Sequence, residues 1–207
     1  MCRKLRIRSG MLLAMIAALC APGRSTLGQS AASQKDASPA AEDQNHVAGS
    51  SPAEDPWTRI PGKVVVLIFV RTDCPIANRY APEISRLQAA HATDAAFWLV
   101  YPDKRETAAA IRKHDLEYHL TLPVLRDPRR ALAKRAQVSA TPEAAVFDVR
   151  GQLVYHGRID NWFEDFGRAR PAPTTHELAD AIVAAVSGHP ATLPSAPAVG
   201  CFLSDLS

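Results

Sequence analysis

The 207-residue sequence predicts an α/β fold, and three observations support this class. An apolar run at 64–70 has the composition of a buried strand, and a helical pattern begins directly after it. Strand-like and helix-like segments then alternate between residues 95 and 136. A strand, a Gly-containing turn and a second strand follow at 140–158, before an amphipathic helix at 174–187. We therefore expect one sheet with helices packed against it.

The junction between the first strand and the following helix is the part of the sequence that most clearly indicates a reactive group. Residues 64–70 are β-branched or aromatic apart from one Leu, and Lys63 and Arg71 stand at the two ends. The next helix has Cys74 at its N-cap and Pro75 at its first position, where a missing N–H costs nothing. A thiol there faces unpaired N–H groups and the positive end of the helix dipole, which favour the reactive thiolate. We expect Cys74 to be a nucleophile; the alternative is a buried structural cysteine.

The later elements are predicted from their caps and periodicity. Asp103 and Asp127 are the expected caps of two helices, and the second helix has a proline in its first turn. The last helix carries Leu178, Ile182, Val183 and Val186 on one face, which predicts packing against the sheet. The predicted elements of this region are a strand at 95–101, a helix at 103–115, a strand at 122–125 and a helix at 128–136.

Two motifs give the chain a resemblance to the thioredoxin superfamily. Cys74 follows the first strand, and Pro82 lies eight residues later, preceded by Ala81 as in many thioredoxins. Thr141-Pro142 stands before the hairpin, where those proteins carry Thr-Pro or a relative of it. The resemblance implies a thioredoxin-like fold, a central mixed sheet flanked by helices, with an extra strand-helix insertion. It also implies a cis proline at 142 lying against the cysteine.

The chain departs from thioredoxins at two positions. Ala77 replaces the second cysteine of Cys-x-x-Cys, and Ile68 replaces a buried acid. Dithiol exchange within one motif is therefore excluded. The longer spacing between the two motifs resembles peroxiredoxins and periplasmic redoxins. Peroxiredoxins carry Thr three residues before the reactive cysteine, whereas here that position is Arg71 and Thr72 stands one residue later. The residues that activate peroxide are not in their usual places, so peroxide chemistry stays an open alternative.

The resemblance also implies which residues surround the thiol. Glu143 is a candidate proton relay, or alternatively it caps a strand. The expected substrate-binding residues are Thr72, Pro75, Thr141 and Pro142.

The N-terminal composition indicates export. Residues 1–28 contain a basic stretch and a short apolar core, the pattern of a signal peptide, with Cys2 and Cys20 inside it. Without residues 1–28 the chain would have 19 basic and 21 acidic residues. The formal charge of +3 therefore comes from the N-terminal segment and does not indicate nucleic-acid binding. Residues 29–55 are rich in Ala, Ser and Pro and predict a disordered linker. The predicted domain, with a Pro-rich C-terminal extension, spans 56–207.

An exported chain would keep two cysteines, Cys74 and Cys201. Cys201 follows a Pro-rich extension that is long enough to fold back over the domain. It is therefore either a resolving or disulfide partner of Cys74, or a packed tail residue, or a group that forms an intermolecular disulfide. His114 and His119 are five residues apart, which does not suit a metal site on one helix face. We expect no metal and no cofactor.

These observations predict a secreted or periplasmic thiol oxidoreductase, or a peroxiredoxin-like antioxidant protein. Cys74 would attack a peroxide or a protein disulfide, and Cys201 or an external thiol reductant would complete the cycle. Membrane contact is expected only through an uncleaved N-terminal segment. The alternative is a non-catalytic binding module of the same fold in which Cys74 and Cys201 form a structural disulfide.

Overall fold

The computed structural model describes residues 47–48, 56–189 and 195–205. The predicted signal peptide and almost all of the predicted linker lie outside the described residues. No helix among the described residues is long and apolar enough to cross a membrane. The strands are β1 Val47–Ala48, β2 Val64–Phe69, β3 Ala95–Tyr101, β4 Val124–Arg126, β5 Ala140–Thr141, β6 Glu143–Phe147, β7 Leu153–Gly157, β8 Phe163–Asp165, β9 Arg168–Ala169 and β10 Cys201–Phe202. The helices are α1 Pro56–Arg59, α2 Pro75–Arg79, α3 Ala81–His91, α4 Ala108–Glu117, α5 Ala131–Arg135 and α6 Glu177–Val186.

The central sheet is mixed, in the order β1-β4-β3-β2-β6-β7. Strands β1, β4, β3 and β2 run parallel, whereas β6 is antiparallel to both β2 and β7. The α/β fold with a mixed sheet flanked by helices is thus confirmed. Two strand-helix units, β3 with α4 and β4 with α5, lie between the two sequence motifs.

Strand β2 is buried on both faces, which explains its continuous apolar composition. Val64, Val66 and Ile68 face one cluster, which includes residues of α3 and α6, while the alternate residues face a second cluster, which includes residues of α1 and α5. A two-sided core of this kind holds the end of β2, and therefore the residues that follow it, in a fixed position.

Three details of the helices differ from the sequence predictions. Helix α4 is capped by Thr107, whose hydroxyl accepts a hydrogen bond from Ala110 N, while Asp103 binds Arg105 instead. In α6, Val183 and Val186 are 54% and 41% exposed because the buried face runs through Leu178, Ala181, Ile182 and Ala185. The Asp127 carboxylate accepts from Ala131 N at 2.7 Å and Ala133 N at 2.9 Å, so it binds the start of α5 although Arg130, and not Asp127, occupies the N-cap position.

One short strand lies within the segment predicted to be a disordered linker. Val47 and Ala48 form β1, which pairs in parallel with Val124 and Leu125 at the edge of the sheet. A free backbone edge accepts two residues of almost any composition, so no pattern in the sequence marks them.

Candidate active site

Cys74 lies where β2 ends and α2 begins, as predicted. Its backbone is extended (φ −90°, ψ 108°) and its carbonyl accepts a hydrogen bond from Asn78 N at 3.0 Å, so it is the N-cap of the helix. Pro75 occupies the first turn and is itself exposed. The Cys74 side chain is completely buried, and its Sγ donates to the carbonyl oxygen of Thr141 at 3.0 Å.

The Thr141–Pro142 loop lies directly against the thiol. The peptide bond between these residues is cis, as the resemblance implies, and both residues are buried. Glu143 holds the loop from behind: one carboxylate oxygen accepts from Ser139 N at 2.9 Å and Ala140 N at 3.0 Å. The second oxygen lies 3.5 Å from a ring nitrogen of His156. These contacts are those of a strand cap, one of the two alternatives for Glu143.

The C-terminal segment, residues 195–205, brings Cys201 to the same loop. Strand β10 is antiparallel to β5, with Cys201 opposite Thr141 and Phe202 opposite Ala140. This pairing places the Cys201 thiol close enough to Cys74 for the two side chains to interact, and both thiols are free. The fold therefore juxtaposes the two cysteines of the predicted pair.

The environment of Cys201 keeps it protonated. Burial and the neighbouring Cys74 thiol together raise the pKa of Cys201 to about 12, although Arg71 acts in the opposite direction. The site therefore does not carry two thiolates at neutral pH.

Arg71 supplies the positive charge next to this pair. Its Nη2 donates to Asp73 at 2.8 Å, and its residue is 8% exposed. Its Nε is buried and has no hydrogen-bond acceptor among the described residues. A buried guanidinium with a free donor is suited to bind an oxygen or a sulfur anion.

A buried polar network supports the loop before Cys74, and sequence reasoning did not find it. Thr72 N donates to Glu106 Oε1 at 2.6 Å, and Thr72 O accepts from Asn78 Nδ2 at 3.2 Å. The Asn78 Oδ1 atom lies 2.8 Å from His114 Nε2, and the other ring nitrogen of His114 lies 2.8 Å from the Tyr101 hydroxyl. Thr72 thus takes part through its backbone.

Burial in this network disfavours the charged form of an acidic side chain. Burial raises the pKa of Glu106 above its usual value, and the hydrogen bonds from Thr72 offset part of that effect. His114 is buried in the same network, and its two ring nitrogens lie within hydrogen-bonding distance of Tyr101 on β3 and Asn78 on α2. Among the described residues, no group of three or more His, Cys, Asp or Glu side chains could hold a metal ion.

The comparisons with known proteins agree with this geometry. Residues 54–156 match the AhpC/TSA family. The chain is similar to an uncharacterized conserved protein from Geobacillus kaustophilus, at 22% identity over 69% of this chain and 77% of that chain, with a TM-score of 0.59. It is also similar to a hypothetical protein from Sinorhizobium meliloti 1021, at 21% identity over 69% and 79% of the two chains, with a TM-score of 0.57.

A third similar structure is a putative thiol:disulfide interchange protein DsbE from Chlorobium tepidum, at 21% identity over 60% of this chain and 81% of that chain, with a TM-score of 0.47. No curated protein sequence matches the chain. The family match, the mixed sheet and the cysteine beside a cis proline identify the chain as a member of the thioredoxin-like redoxin superfamily.

Proposed function

We propose that this protein is a thiol oxidoreductase in which Cys74 attacks the substrate and Cys201 resolves the product. The observation that carries the proposal is the contact between the two thiols, which stand 127 positions apart in the chain and meet on the Thr141–Pro142 loop. A packing role alone gives no reason for two cysteines so far apart in the chain to meet at one loop.

Either of two substrate classes leads to the same oxidised site. A substrate disulfide would be attacked by the Cys74 thiolate, which forms a mixed disulfide and expels one substrate thiolate. Cys201 would then lose its proton and attack Cys74 Sγ, expelling the second thiolate. A peroxide would be attacked at oxygen, giving a Cys74 sulfenic acid and hydroxide or alkoxide. Condensation with Cys201 would release water. Both routes end in a Cys74–Cys201 disulfide and need an external thiol reductant.

The peroxide route has support of its own from Arg71. Its buried Nε–H finds no acceptor among the described residues, and its charge acts on Cys201. A guanidinium in this position would stabilise the negative charge that develops on the leaving oxygen. The match of residues 54–156 to the AhpC/TSA family is consistent with this route. Thr72, Pro75, Thr141 and Pro142 stay the predicted substrate contacts.

Export to a secreted or periplasmic location is part of the proposal. Its support is the composition of residues 1–28, together with a cysteine pair that an oxidising compartment would allow to cycle.

Intact mass after oxidation tests the function. The reduced mature domain would be treated separately with hydrogen peroxide and with glutathione disulfide. We expect the wild type to lose two mass units with at least one of them. Cys201→Ser should stop at a sulfenic acid or a mixed disulfide, and Cys74→Ser should show neither.

The non-catalytic alternative makes a different prediction. A structural disulfide would resist mild reductant and leave no reactive thiol, whereas a catalytic disulfide would be reduced readily. An oxidant-independent mass for wild type and both variants would reject the proposed function.

A further inference from the structure

A basic groove lies beside the strand that carries Cys201. Its volume is about 660 Å³, and one wall is formed by the C-terminal segment through Phe202, Leu203 and Ser204. The other lining residues lie between β4 and β5, apart from Lys104, which follows β3. Four of its lining residues are basic and none is acidic: Lys104, Arg129, Arg130 and Lys134.

Three of these cations have no carboxylate partner in the part of the chain that the structure describes. Lys104, Arg129 and Lys134 are exposed, and none forms an ion pair or a side-chain hydrogen bond with the residues that the structure describes. By contrast, the exposed Arg105, Arg150 and Arg168 side chains are each paired with an acid. Unpaired like charges around one concave surface produce a positive potential that attracts acidic groups.

The groove also has an apolar component. Phe202 is 55% exposed and follows Cys201 directly, while Val138 and Leu203 are buried below it. An exposed aromatic ring bordered by unpaired cations fits a polypeptide segment that combines acidic residues with an apolar side chain. A free inorganic anion would use the cations alone.

Hydrogen bonds connect the groove with the C-terminal segment that carries Cys201. Arg130 Nη1 donates to Leu203 O at 2.7 Å, and Leu203 N donates to Ser139 O at 2.8 Å. Two residues before Leu203, Cys201 pairs with Thr141. A segment bound in the groove would therefore lie next to Cys201, which is half-buried, whereas Cys74 is completely covered.

We propose that this groove docks an acidic, partly apolar segment of the thiol protein that reduces the Cys74–Cys201 disulfide, an inference that rests on the proposed function. The partner thiolate attacks Cys201 Sγ, forms a mixed disulfide and expels the Cys74 thiolate. A second partner thiolate then attacks its own mixed-disulfide sulfur and expels Cys201. The partner is oxidised to a disulfide by two electrons, and its two protons pass to Cys74 and Cys201.

Model peptide reductants test the charge preference. Three short peptides would each contain one Cys and one Phe, flanked by Asp, by Ser or by Lys, and each would reduce the oxidised wild-type domain at low salt. We expect the Asp peptide to be faster than the Ser peptide by roughly 10-fold or more, and the Lys peptide to be slower. Salt should remove these differences. Equal rates for the three peptides would overturn the proposal.

Charge-reversal variants locate the effect. Lys104→Glu, Arg129→Glu and Lys134→Glu together should abolish the preference for the Asp peptide. Arg86→Glu, Lys113→Glu and Arg150→Glu change the net charge equally on other elements, and should retain most of it. Equal losses in both triple variants would mean that net charge acts without a groove. If the groove variant differs from the wild type in sedimentation but is reduced by the three peptides at the wild-type rates, the surface binds a second copy of the chain instead.

Two further measurements separate this inference from the proposed function. Dithiothreitol should reduce the wild type and both triple variants at the same rate, which would show that the disulfide chemistry is intact. An Asp peptide with Ser in place of Cys should bind the wild type and not the groove variant in fluorescence anisotropy. Normal reduction by dithiothreitol without any Asp-peptide preference would reject the groove alone. Failure to form the disulfide would reject both.

Discussion

Gly200 lies so close to the Thr141–Pro142 loop that a side chain has no room there. A Cβ atom at this position would stand 2.0 Å from Thr141 O and 2.7 Å from Thr141 C, both of which are backbone atoms. Gly200→Ala should therefore force the C-terminal segment away from the loop. Ordinary contact begins at 3.4 Å, so the required displacement is roughly 1.4 Å, from 2.0 Å to 3.4 Å.

The displacement breaks hydrogen bonds that hold the C-terminal segment. The Leu203 N to Ser139 O bond, now 2.8 Å, and the Thr141 Oγ1 to Cys201 O bond, now 3.4 Å, both leave hydrogen-bonding range. Each contributes about 1 kcal/mol net, so the closed position loses about 2 kcal/mol. This corresponds to a roughly 30-fold increase in the population with Cys74 uncovered.

Alkylation of the reduced protein measures this population. Cys74 is completely buried in the wild type, so iodoacetamide should modify it only through opening of the C-terminal segment. Gly200→Ala should increase the Cys74 alkylation rate by roughly 30-fold, as read by peptide mapping. Ser195→Thr, which also adds one methyl group but at an exposed position of the same segment and keeps the hydroxyl near His156, is the matched control and should behave as the wild type. A Cys74 rate in Gly200→Ala equal to that of the wild type would refute the idea that this segment covers the thiol.

Two predictions concern the carboxylates near the site. Glu106→Gln keeps an acceptor for Thr72 N but removes a charge whose burial raises the pKa above its usual 4.5. Because the stability contributed by Glu106 is complete below its unfolded pKa and lost as pH rises through its folded pKa, the variant should melt higher than wild type at neutral pH and equally in acid. Glu143→Gln should lose about 1 kcal/mol in urea unfolding, because the cap of Ser139 N and Ala140 N weakens, but should form the disulfide at the wild-type rate.

The outcomes that contradict these predictions are distinct. A melting difference between Glu106→Gln and the wild type that is the same at acidic and neutral pH would show that folding leaves the pKa of Glu106 unchanged. Slow disulfide formation by Glu143→Gln, with unchanged stability, would show that Glu143 relays a proton. Glu143→Ala, which removes the acceptor entirely, should lose more stability than Glu143→Gln.

The local parts of the site could be predicted from the sequence because their causes are local. Seven apolar residues before a Cys-Pro pair are enough to predict a buried strand that ends at a helix N-terminus, and β2 and α2 meet at Cys74 as expected. The hairpin of β6 and β7 follows from two strand-like segments joined by a short turn with Gly151. The α/β class follows from the alternation of these patterns along the chain.

Other features were outside the reach of the sequence because they depend on residues distant in the chain. Strand β10 has two residues, too few for any periodicity, and pairs with β5 across about 60 positions, so the sequence left the role of Cys201 open. The same holds for Glu106 and His114, whose hydrogen-bond partners Thr72, Asn78 and Tyr101 are distant in the chain. The chain by itself determined a cysteine at a helix N-terminus in an α/β fold. Only the tertiary structure placed a second thiol against it, because that contact is made by backbone pairing, which almost any pair of residues can form.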